Sequence, residues 1–542
     1  MTFYSENRRN DSYVWPEPLE SLSQQLGGGG PTEIAPKLPH LTLSDVLFIA
    51  LVMALPKGSR PWGIVTWMAV TFRMSRPSVY ALSHRTHARL LTSEVQDERM
   101  LPSTAVTITD ERLKRMVLTA AFPGKMALRP MQKLLAEAFD QECSLGWLSG
   151  LINEAGARAG EVLDQIDLSP LGPVIVVRDE TFWYDQPILL VIDPMSSVIL
   201  RAMVTPDCQA ETWGIVLLMT QDQGVTLEGV VEDMARMYPK SQEEAGLELD
   251  VQKDVWHIER DGGQVRKDLE RLALAATKKV DKLEKRLDKA WDDALFEQEY
   301  ISAVAKEERL YEQLETFTDG YGHLCDALEV VDWRSGEIRD RAINGWLLEE
   351  TLLMLEAIDQ PRVQSWVKTL RRHQANMLTY LDWLAAALAP YHSELAQIID
   401  SPVELMHFMR QTARCWRLQQ AKINGQTQFT AAADEAATAV EALTADSPMR
   451  RQMAQKLMHI LDGAHRASSL VECINGLLKQ FLSNRRWCPS PESLQRYLNL
   501  FTLWHNMRVY ERGKRQGQSP YQLAGIDPGC DDWLDLLGFT AA

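Results

Sequence analysis

The stretch PVIVVRDETFWYDQPILLVID, residues 173–193, decides the fold of this chain of 542 residues. It opens with an apolar, β-branched run that predicts a buried strand ending at Asp179. A carboxylate at the end of a buried strand is costly unless it binds a partner, so Asp179 is a candidate functional residue. A second apolar run at residues 187–193 predicts the next strand, and Asp193, which precedes a proline, is predicted to be a turn residue.

The β pattern continues for about sixty residues. Residues 197–204 predict a third strand, residues 211–218 a helix, and a fourth strand ends in GVVED at Asp233. A last strand is predicted within residues 248–256. The expected order is therefore three strands, a helix, a strand, a helix and a strand.

Most of the remaining sequence has helical periodicity, so the predicted class is α+β and mostly α. The predicted domains are a flexible tail (1–40), a helix-turn-helix domain (41–100), a second helical domain (101–170), a sheet-bearing core in two parts (171–260 and 466–526), a helical insertion (261–465) and a C-terminal tail (527–542). The second helical domain is predicted to be either another helix-turn-helix or a helical bridge to the core.

The charge pattern bears on the partners. The formal net charge is −17, which disfavours nucleic-acid binding by the chain as a whole, although local basic patches supply phosphate contacts. The candidate DNA-binding residues lie in a predicted turn, on the recognition helix that follows it and near the C-terminus: Arg73, Arg76, Ser78, Tyr80, Ser83, Arg85, Arg485, Arg486, Lys514 and Arg515. The alternative for the N-terminal group is a three-helix bundle with a solvated basic face.

Targeting signals and cysteine spacing bear on the location of the protein and on its disulfide and zinc sites. The N-terminus lacks an apolar signal core, and the longest apolar stretch is too short to span a bilayer. The seven cysteines show no CxxC spacing, which predicts no disulfide framework and no zinc site. We therefore expect a cytoplasmic protein that does not bind a membrane.

Three acids are the candidate catalytic residues and metal ligands. Asp179 and Asp233 follow strand-like runs, and Glu472 lies in a helical stretch far downstream. Carboxylates suit Mg²⁺, and paired divalent ions support cleavage and transfer of phosphodiester bonds. Glu180 and Glu232 compete with their neighbours for these roles, and Asp233 is alternatively the cap of the following turn.

The chain resembles DDE-type transposases of bacterial insertion sequences. The matching segments are VIVVRDETFW, ILLVIDPMSSVIL and GVVEDMARMYP around the two aspartates, and a C-terminal layout with Glu472, Asn475, Asn506 and GKRQGQSP. Asp254 and His257 form a DxxH element similar to that of hAT-type transposases. No Cys/His zinc array of the eukaryotic hAT kind is present in the N-terminal sequence.

The resemblance implies an RNase H-like core interrupted by a helical insertion. It implies that Asp179, Asp233 and Glu472 bind two Mg²⁺ or Mn²⁺ ions, with supporting roles for Asp254, His257 and Asn475. The implied activity is cleavage and joining of double-stranded DNA at transposon ends and target sites, by a homo-oligomer associated with the nucleoid. The alternatives are a catalytically inactive relative that acts as a DNA-binding regulator or scaffold, and a helical structural protein.

Overall fold

The computed structural model describes residues 41, 43–92, 108–287, 294–485, 488 and 490–540. The chain divides into two compact units, Met1–Val106 and Thr107–Ala542. Helices dominate, and one five-stranded sheet is present in the described part, which confirms the α+β, mostly α class. The predicted tail over residues 1–40 lies outside the described residues. Within them, no helix is both long and apolar enough to cross a membrane.

The first unit contains three helices in the described residues: α1 (Leu43–Ala54), α2 (Ile64–Thr71) and α3 (Arg76–Thr92). Ile49, Met68 and Val79 are fully buried and form the centre of its small core. The backbone N–H of Ser78 donates to Ser75 Oγ at 3.2 Å, which confirms the predicted start of the third helix.

The second unit holds the sheet. Its strands are β1 (Pro173–Trp183), β2 (Gln186–Ile192), β3 (Ile199–Val204), β4 (Thr226–Glu232) and β5 (Asp250–Lys253). Their spatial order is β3-β2-β1-β4-β5. The first three strands pair antiparallel, whereas β4 is parallel to β1 and β5 is parallel to β4. Helices α7 (Ala210–Gln221) and α8 (Met237–Ala245) connect the last strands, so the predicted order of elements is confirmed.

One strand boundary was predicted wrongly. Asp179 does not end β1 but lies in its second half, because the strand continues through Thr181 to Trp183. These β-branched and aromatic residues pair with β2, as in the pairs Thr181↔Ile188 and Trp183↔Gln186. The β1–β2 hairpin therefore extends beyond Asp179, whereas the parallel neighbour β4 ends at Glu232, beside Arg178.

Three helices precede the sheet: α4 (Asp110–Ala121), α5 (Leu128–Phe139) and α6 (Leu145–Gln165). Ser144 Oγ accepts from the backbone N–H of Trp147 at 3.0 Å and caps α6. Their buried apolar residues belong to the same core as the sheet. This shared core favours the bridge interpretation for the segment over a separate helix-turn-helix module.

The helical block that follows β5 has a core of its own. Its helices are α9 (Val255–Leu287), α10 (Ala294–Ala327), α11 (Arg341–Glu356), α12 (Pro361–His373), α13 (Thr379–Leu395), α14 (Pro402–Ile423), α15 (Thr430–Thr444) and α16 (Pro448–Asp462). The backbone N–H of Val255 donates to the carbonyl of Arg466 at 2.9 Å. This bond joins the points where the chain enters and leaves the block.

The chain then returns to the sheet core through α17 (Ser469–Arg485), α18 (Pro491–Met507), α19 (Pro520–Ala524) and α20 (Trp533–Leu536). The segment predicted as a C-terminal tail packs against the rest of the chain. Leu534 and Phe539 are buried in the sheet core, and Asp532 and Asp535 pair with Arg115 of α4. Apolar burial and these ion pairs fix the segment in place.

Polar side chains bond both outer strands of the sheet to neighbouring helices. Asn506 accepts from the N–H of Ile199 at 2.9 Å and donates to its carbonyl at 3.0 Å. Gln495 bonds to β3 in the same way at Val204 and Ala202. On β5, Gln252 donates to the carbonyl of Met377 and accepts from the N–H of Tyr380, both at 3.0 Å. Polar side chains from α18, and Thr379 Oγ1, which donates to the Val251 carbonyl of β5 at 2.7 Å, thus occupy backbone groups that an exposed edge would leave open.

Candidate active site

The first strand and the late helix meet at Asp179. Asn475 of α17 donates from Nδ2 to Asp179 Oδ2 at 2.8 Å. Glu472 lies three residues earlier on the same helix, and residues at this spacing share a face. The structure therefore brings Glu472 and Asn475 to the face of the sheet that carries Asp179.

The register of the parallel strands places the two aspartates at the same height. Val177 of β1 is paired with Val231 of β4, and each aspartate follows two positions later. Asp233 comes immediately after the end of β4. Its Oδ1 accepts from the backbone N–H of Ala235 at 2.7 Å, so this carboxylate also caps the turn, as the alternative interpretation proposed.

The electrostatics of the site are dominated by unbalanced negative charge. Burial, the largest cause, and the charges of Glu472, Glu180 and Asp233 together raise the pKa of Asp179 to about 7. Desolvation and like charges both disfavour ionisation of a carboxyl group. Asp179 is therefore the centre of an acidic group assembled from three distant parts of the chain.

The competing acids have other partners. Glu180 points to the opposite face from Asp179, since neighbours on a strand alternate, and it accepts from the Tyr238 hydroxyl at 2.6 Å. Burial raises the pKa of Glu180 despite this hydrogen bond. Glu232 is buried and pairs with two cations. Asp193 accepts from the N–H of Ser196 at 2.9 Å, which confirms its role as a turn residue.

The DxxH element adjoins the acids. His257 Nδ1 lies 2.6 Å from Asp254 Oδ2, and its Nε2 lies 3.9 Å from Glu472 Oε1. Burial acts to lower the pKa of His257, but the hydrogen bond and charge of Asp254 outweigh it, so the pKa is raised. Burial acts to raise the pKa of Asp254, but hydrogen bonds from His257 and Ser468 outweigh it, so the pKa is lowered. This pair directs the imidazole Nε2 toward Glu472.

The donor chemistry fits a hard divalent cation, because Asp179, Asp233 and Glu472 offer only carboxylate oxygens. The raised pKa of Asp179 shows that its negative charge has no adequate counter-charge within the protein. In the described part of the chain, no group of three or more His, Cys, Asp or Glu side chains is arranged closely enough to hold a metal ion. The three acids are thus neighbours without forming a closed ligand set.

The predicted DNA-binding residues of the first unit are mostly accessible. Arg73, Arg76, Tyr80 and Arg85 are exposed, and Ser78 is partly exposed. Ser83 was predicted to belong to this surface but is buried. It lies four residues after the buried Val79, so it shares the face of α3 that packs against the core.

The C-terminal basic residues contact their own chain. Arg485 donates from Nη2 to Asn153 Oδ1 at 3.2 Å and lies over the Tyr497 ring. Arg515 donates to the carbonyl of Pro194 at 2.8 Å, and Lys514 pairs with Asp462. These contacts assign Arg485 and Arg515 to packing between elements rather than to a free basic surface, while Arg486 lies outside the described residues.

Sequence reasoning missed Ser468, Tyr238 and Lys253 as neighbours of the site. Ser468 donates to Asp254, Tyr238 donates to Glu180, and Lys253 donates to the main-chain carbonyl of Asp233 at 3.0 Å. The sequence could have indicated Lys253, because a charged residue within a predicted buried strand needs a partner of opposite charge. The other two contacts depend on the tertiary fold and leave no local trace in the sequence.

Comparison with known proteins adds no relative. No protein-family model matches the chain, and no curated protein matches it. The functional assignment therefore depends on the geometry of the acidic group and on the charges around it.

Proposed function

We propose that this chain is a DDE-type DNA transposase, a polynucleotidyl transferase that cleaves and joins DNA strands with Mg²⁺ or Mn²⁺. The observation that carries the proposal is that Asp233 and Glu472 lie close enough to Asp179 for their charges to act on its carboxyl group. Together with burial, these charges raise the pKa of Asp179 to about 7. These residues come from two parallel strands and a helix more than two hundred residues downstream. A structural role gives no reason for acids from such distant segments to converge.

The sheet supports an RNase H-like core. The chain order of its strands and helices is the one that the resemblance implies, and the helical block between β5 and α17 occupies the place of the implied insertion. The core is therefore assembled from residues on both sides of a large helical region. On this proposal the insertion follows the two aspartates in the sequence and precedes the glutamate.

The proposed DNA-binding element is the helix-turn-helix of the first unit. Residues 43–92 contain six Lys or Arg residues but only one acidic residue, Asp45, in a chain whose net charge is −17. Arg76 and Arg85 are exposed on α3, the proposed recognition helix. This local excess of positive charge within residues 43–92 supports phosphate binding despite the acidic whole.

The residues divide the chemistry between them. Asp179, Asp233 and Glu472 would hold two divalent ions, which supply an activated attacking oxygen and stabilise the leaving oxygen. Asn475 orients Asp179 through its 2.8 Å hydrogen bond. Asp254 holds His257 with its Nε2 toward Glu472, where the imidazole, when protonated, can orient an anionic phosphate or the carboxylate itself.

A plasmid cleavage assay tests the proposal. The purified protein is incubated with a supercoiled plasmid carrying the DNA that flanks its coding sequence, with and without Mg²⁺ or Mn²⁺. We expect nicking and strand joining only with metal. Asp179→Asn and Glu472→Gln should reduce activity to background, because each removes a negative ligand with little change in shape.

Glu180→Gln is the matched control, since Glu180 neighbours Asp179 but faces Tyr238 on the other side of the sheet. It should retain most of the activity. DNA binding, measured by fluorescence anisotropy, should be unchanged in all three variants. Full activity of Asp179→Asn would contradict the proposal, and binding without any cleavage by the wild type would favour the inactive DNA-binding regulator.

A further inference from the structure

Three charged residues form a buried cluster behind the acidic site. The side chains of Arg178 and Glu232 are completely inaccessible, and that of Lys253 is 1% exposed. Arg178 donates from Nε to Glu232 Oε2 at 2.9 Å, and Lys253 Nζ lies 2.6 Å from Glu232 Oε1. Each carboxylate oxygen of Glu232 therefore accepts from a different cation.

The cluster is fully hydrogen-bonded to its surroundings. Arg178 also donates from Nη1 to Ser241 Oγ at 2.8 Å and from Nη2 to the carbonyl of Tyr238 at 3.1 Å. The guanidinium lies over the Tyr238 ring, 4.4 Å from its centroid. The planar fork of an arginine meets all of these acceptors at once, which a lysine in its place does not.

Stability alone does not explain the cluster. Each buried ion costs several kcal/mol of desolvation, and packed apolar residues are often as stable or more stable than a buried ion group. Three buried charges with a net positive sign are therefore less favourable for stability than apolar side chains of the same volume. Such local violations of packing preference are expected beside functional sites.

Position along the chain gives the explanation. Arg178, Glu232 and Lys253 lie on the adjacent parallel strands β1, β4 and β5, and each immediately precedes a residue of the site: Asp179, Asp233 and Asp254 respectively. Neighbours on a strand point to opposite faces, so a shift of one strand by one residue would reverse both sets. Lys253 also donates to the main-chain carbonyl of Asp233 at 3.0 Å.

We propose that the Arg178–Glu232–Lys253 cluster is a positioning device that locks the register of β1, β4 and β5 and thereby directs Asp179 and Asp233 toward the proposed metal site, with Asp254 and its partner His257 beside them. This inference rests on the proposed function. The three residues act through their neighbours and are not themselves ligands. Their loss should weaken metal binding more than it slows the reaction at saturating metal.

Lys253→Met is the first test, because it leaves Arg178 and Glu232 as a neutral pair. Mn²⁺ binding is measured by isothermal titration calorimetry, and plasmid nicking is measured as a function of Mn²⁺ concentration. We expect the dissociation constant and the half-saturating concentration to rise about 10- to 100-fold, as for other residues that orient metal ligands. The nicking rate at saturating Mn²⁺ should approach that of the wild type.

Arg178→Lys and Arg178→Met form a graded pair at the second cation. The lysine keeps the charge but loses the fork, so its metal affinity should fall between those of the wild type and the methionine variant. Glu329→Gln is the control, since Glu329 belongs to a partly buried ion group with Arg417 in the helical block. It should lower the melting temperature without changing Mn²⁺ affinity.

Unchanged Mn²⁺ affinity in Lys253→Met and Arg178→Lys would overturn the positioning role. If single variants fail to fold, the triple variant Arg178→Met, Glu232→Leu, Lys253→Met replaces the cluster by apolar residues, and wild-type Mn²⁺ affinity there would equally overturn it. Asp179→Asn separates the two hypotheses. Normal metal binding and activity in that variant contradicts the proposed function, whereas their loss beside an unaffected Lys253→Met contradicts the positioning role alone.

Discussion

At the scale of single residues, Asp179 is held in an environment that opposes its charge. Its pKa is raised from 3.8 to about 7 by burial and by three neighbouring acids. The unfolded chain releases this proton near pH 4, whereas the folded protein retains it until near pH 7. Stability from this group is therefore complete below pH 4, falls as the pH rises from 4 to 7, and stays low above that range.

Asp179→Asn should consequently stabilise the metal-free protein at pH 8 but not near pH 4. The difference in free energy of unfolding at pH 8 should be on the order of 2–4 kcal/mol, because the variant removes an uncompensated buried charge. Urea denaturation at several pH values measures it. Asp185→Asn, in the exposed turn between β1 and β2, is the control. A stabilisation of Asp179→Asn that does not depend on pH would contradict the assigned electrostatics.

Bound metal should stabilise the wild type more than Asp179→Asn. A divalent ion that binds only the folded state stabilises the wild type in proportion to the logarithm of its concentration. Mn²⁺ added at pH 8 should raise the melting temperature of the wild type and leave that of Asp179→Asn nearly unchanged. Differential scanning fluorimetry makes the comparison, and equal shifts for both proteins would place the bound ion elsewhere.

At the scale of elements, the contact between α6 and α18 depends on small residues. A Cβ atom added at Gly156 would lie 2.2 Å from the backbone carbonyl oxygen of Arg496, whereas one added at Gly150 of the same helix would meet nothing within 4 Å. The backbone of α18 cannot yield as a flexible side chain would. Close approach of these helices brings α18, which holds the outer strand β3, against the core.

Gly156→Ala should therefore lower the free energy of unfolding by about 1–3 kcal/mol through overpacking. Gly150→Ala, the matched control, should raise it by about 0.5–1 kcal/mol because alanine favours the helix. Chemical denaturation of both variants measures the contrast. Stabilisation by both substitutions would show that the two helices are not in tight contact.

Sequence patterns predicted the helices and strands better than they predicted the contacts between these elements. The β-branched runs and their acidic ends predicted the strand order and the candidate carboxylates, because burial and alternation are local properties. The extent of β1 beyond Asp179 was missed, since pairing with β2 rather than propensity decides it. The buried place of the segment around Phe539 was also missed, because its partner Arg115 is more than four hundred residues away.

At the scale of the whole molecule, charge is divided unequally along the chain. The described part of the first unit is basic, while the whole sequence is strongly acidic. The sequence alone suggested C-terminal arginines as further DNA contacts, but a basic residue can equally serve as an internal donor, as Arg485 and Arg515 do. Only the fold distinguishes these uses.

Binding to duplex DNA should therefore depend on salt through the first unit. Arg76→Ala and Arg85→Ala should each weaken binding and reduce the slope of log affinity against log salt by about 1. Lys133→Ala removes an exposed cation of the second unit and should leave the slope unchanged. Anisotropy titrations between low and moderate salt test this, and equal effects of all three variants would argue against a dedicated basic unit.

The amide contacts on β3 and β5 have a consequence for self-association. A second chain cannot lengthen this sheet at positions where Asn506 and Gln495 occupy peptide groups of β3 and Thr379 occupies the Val251 carbonyl of β5. If copies assemble on paired DNA ends, their mutual contacts must come from helical surfaces or from the N-terminal unit. The sheet would then not extend from one subunit to the next, so every copy would carry its own complete set of acids.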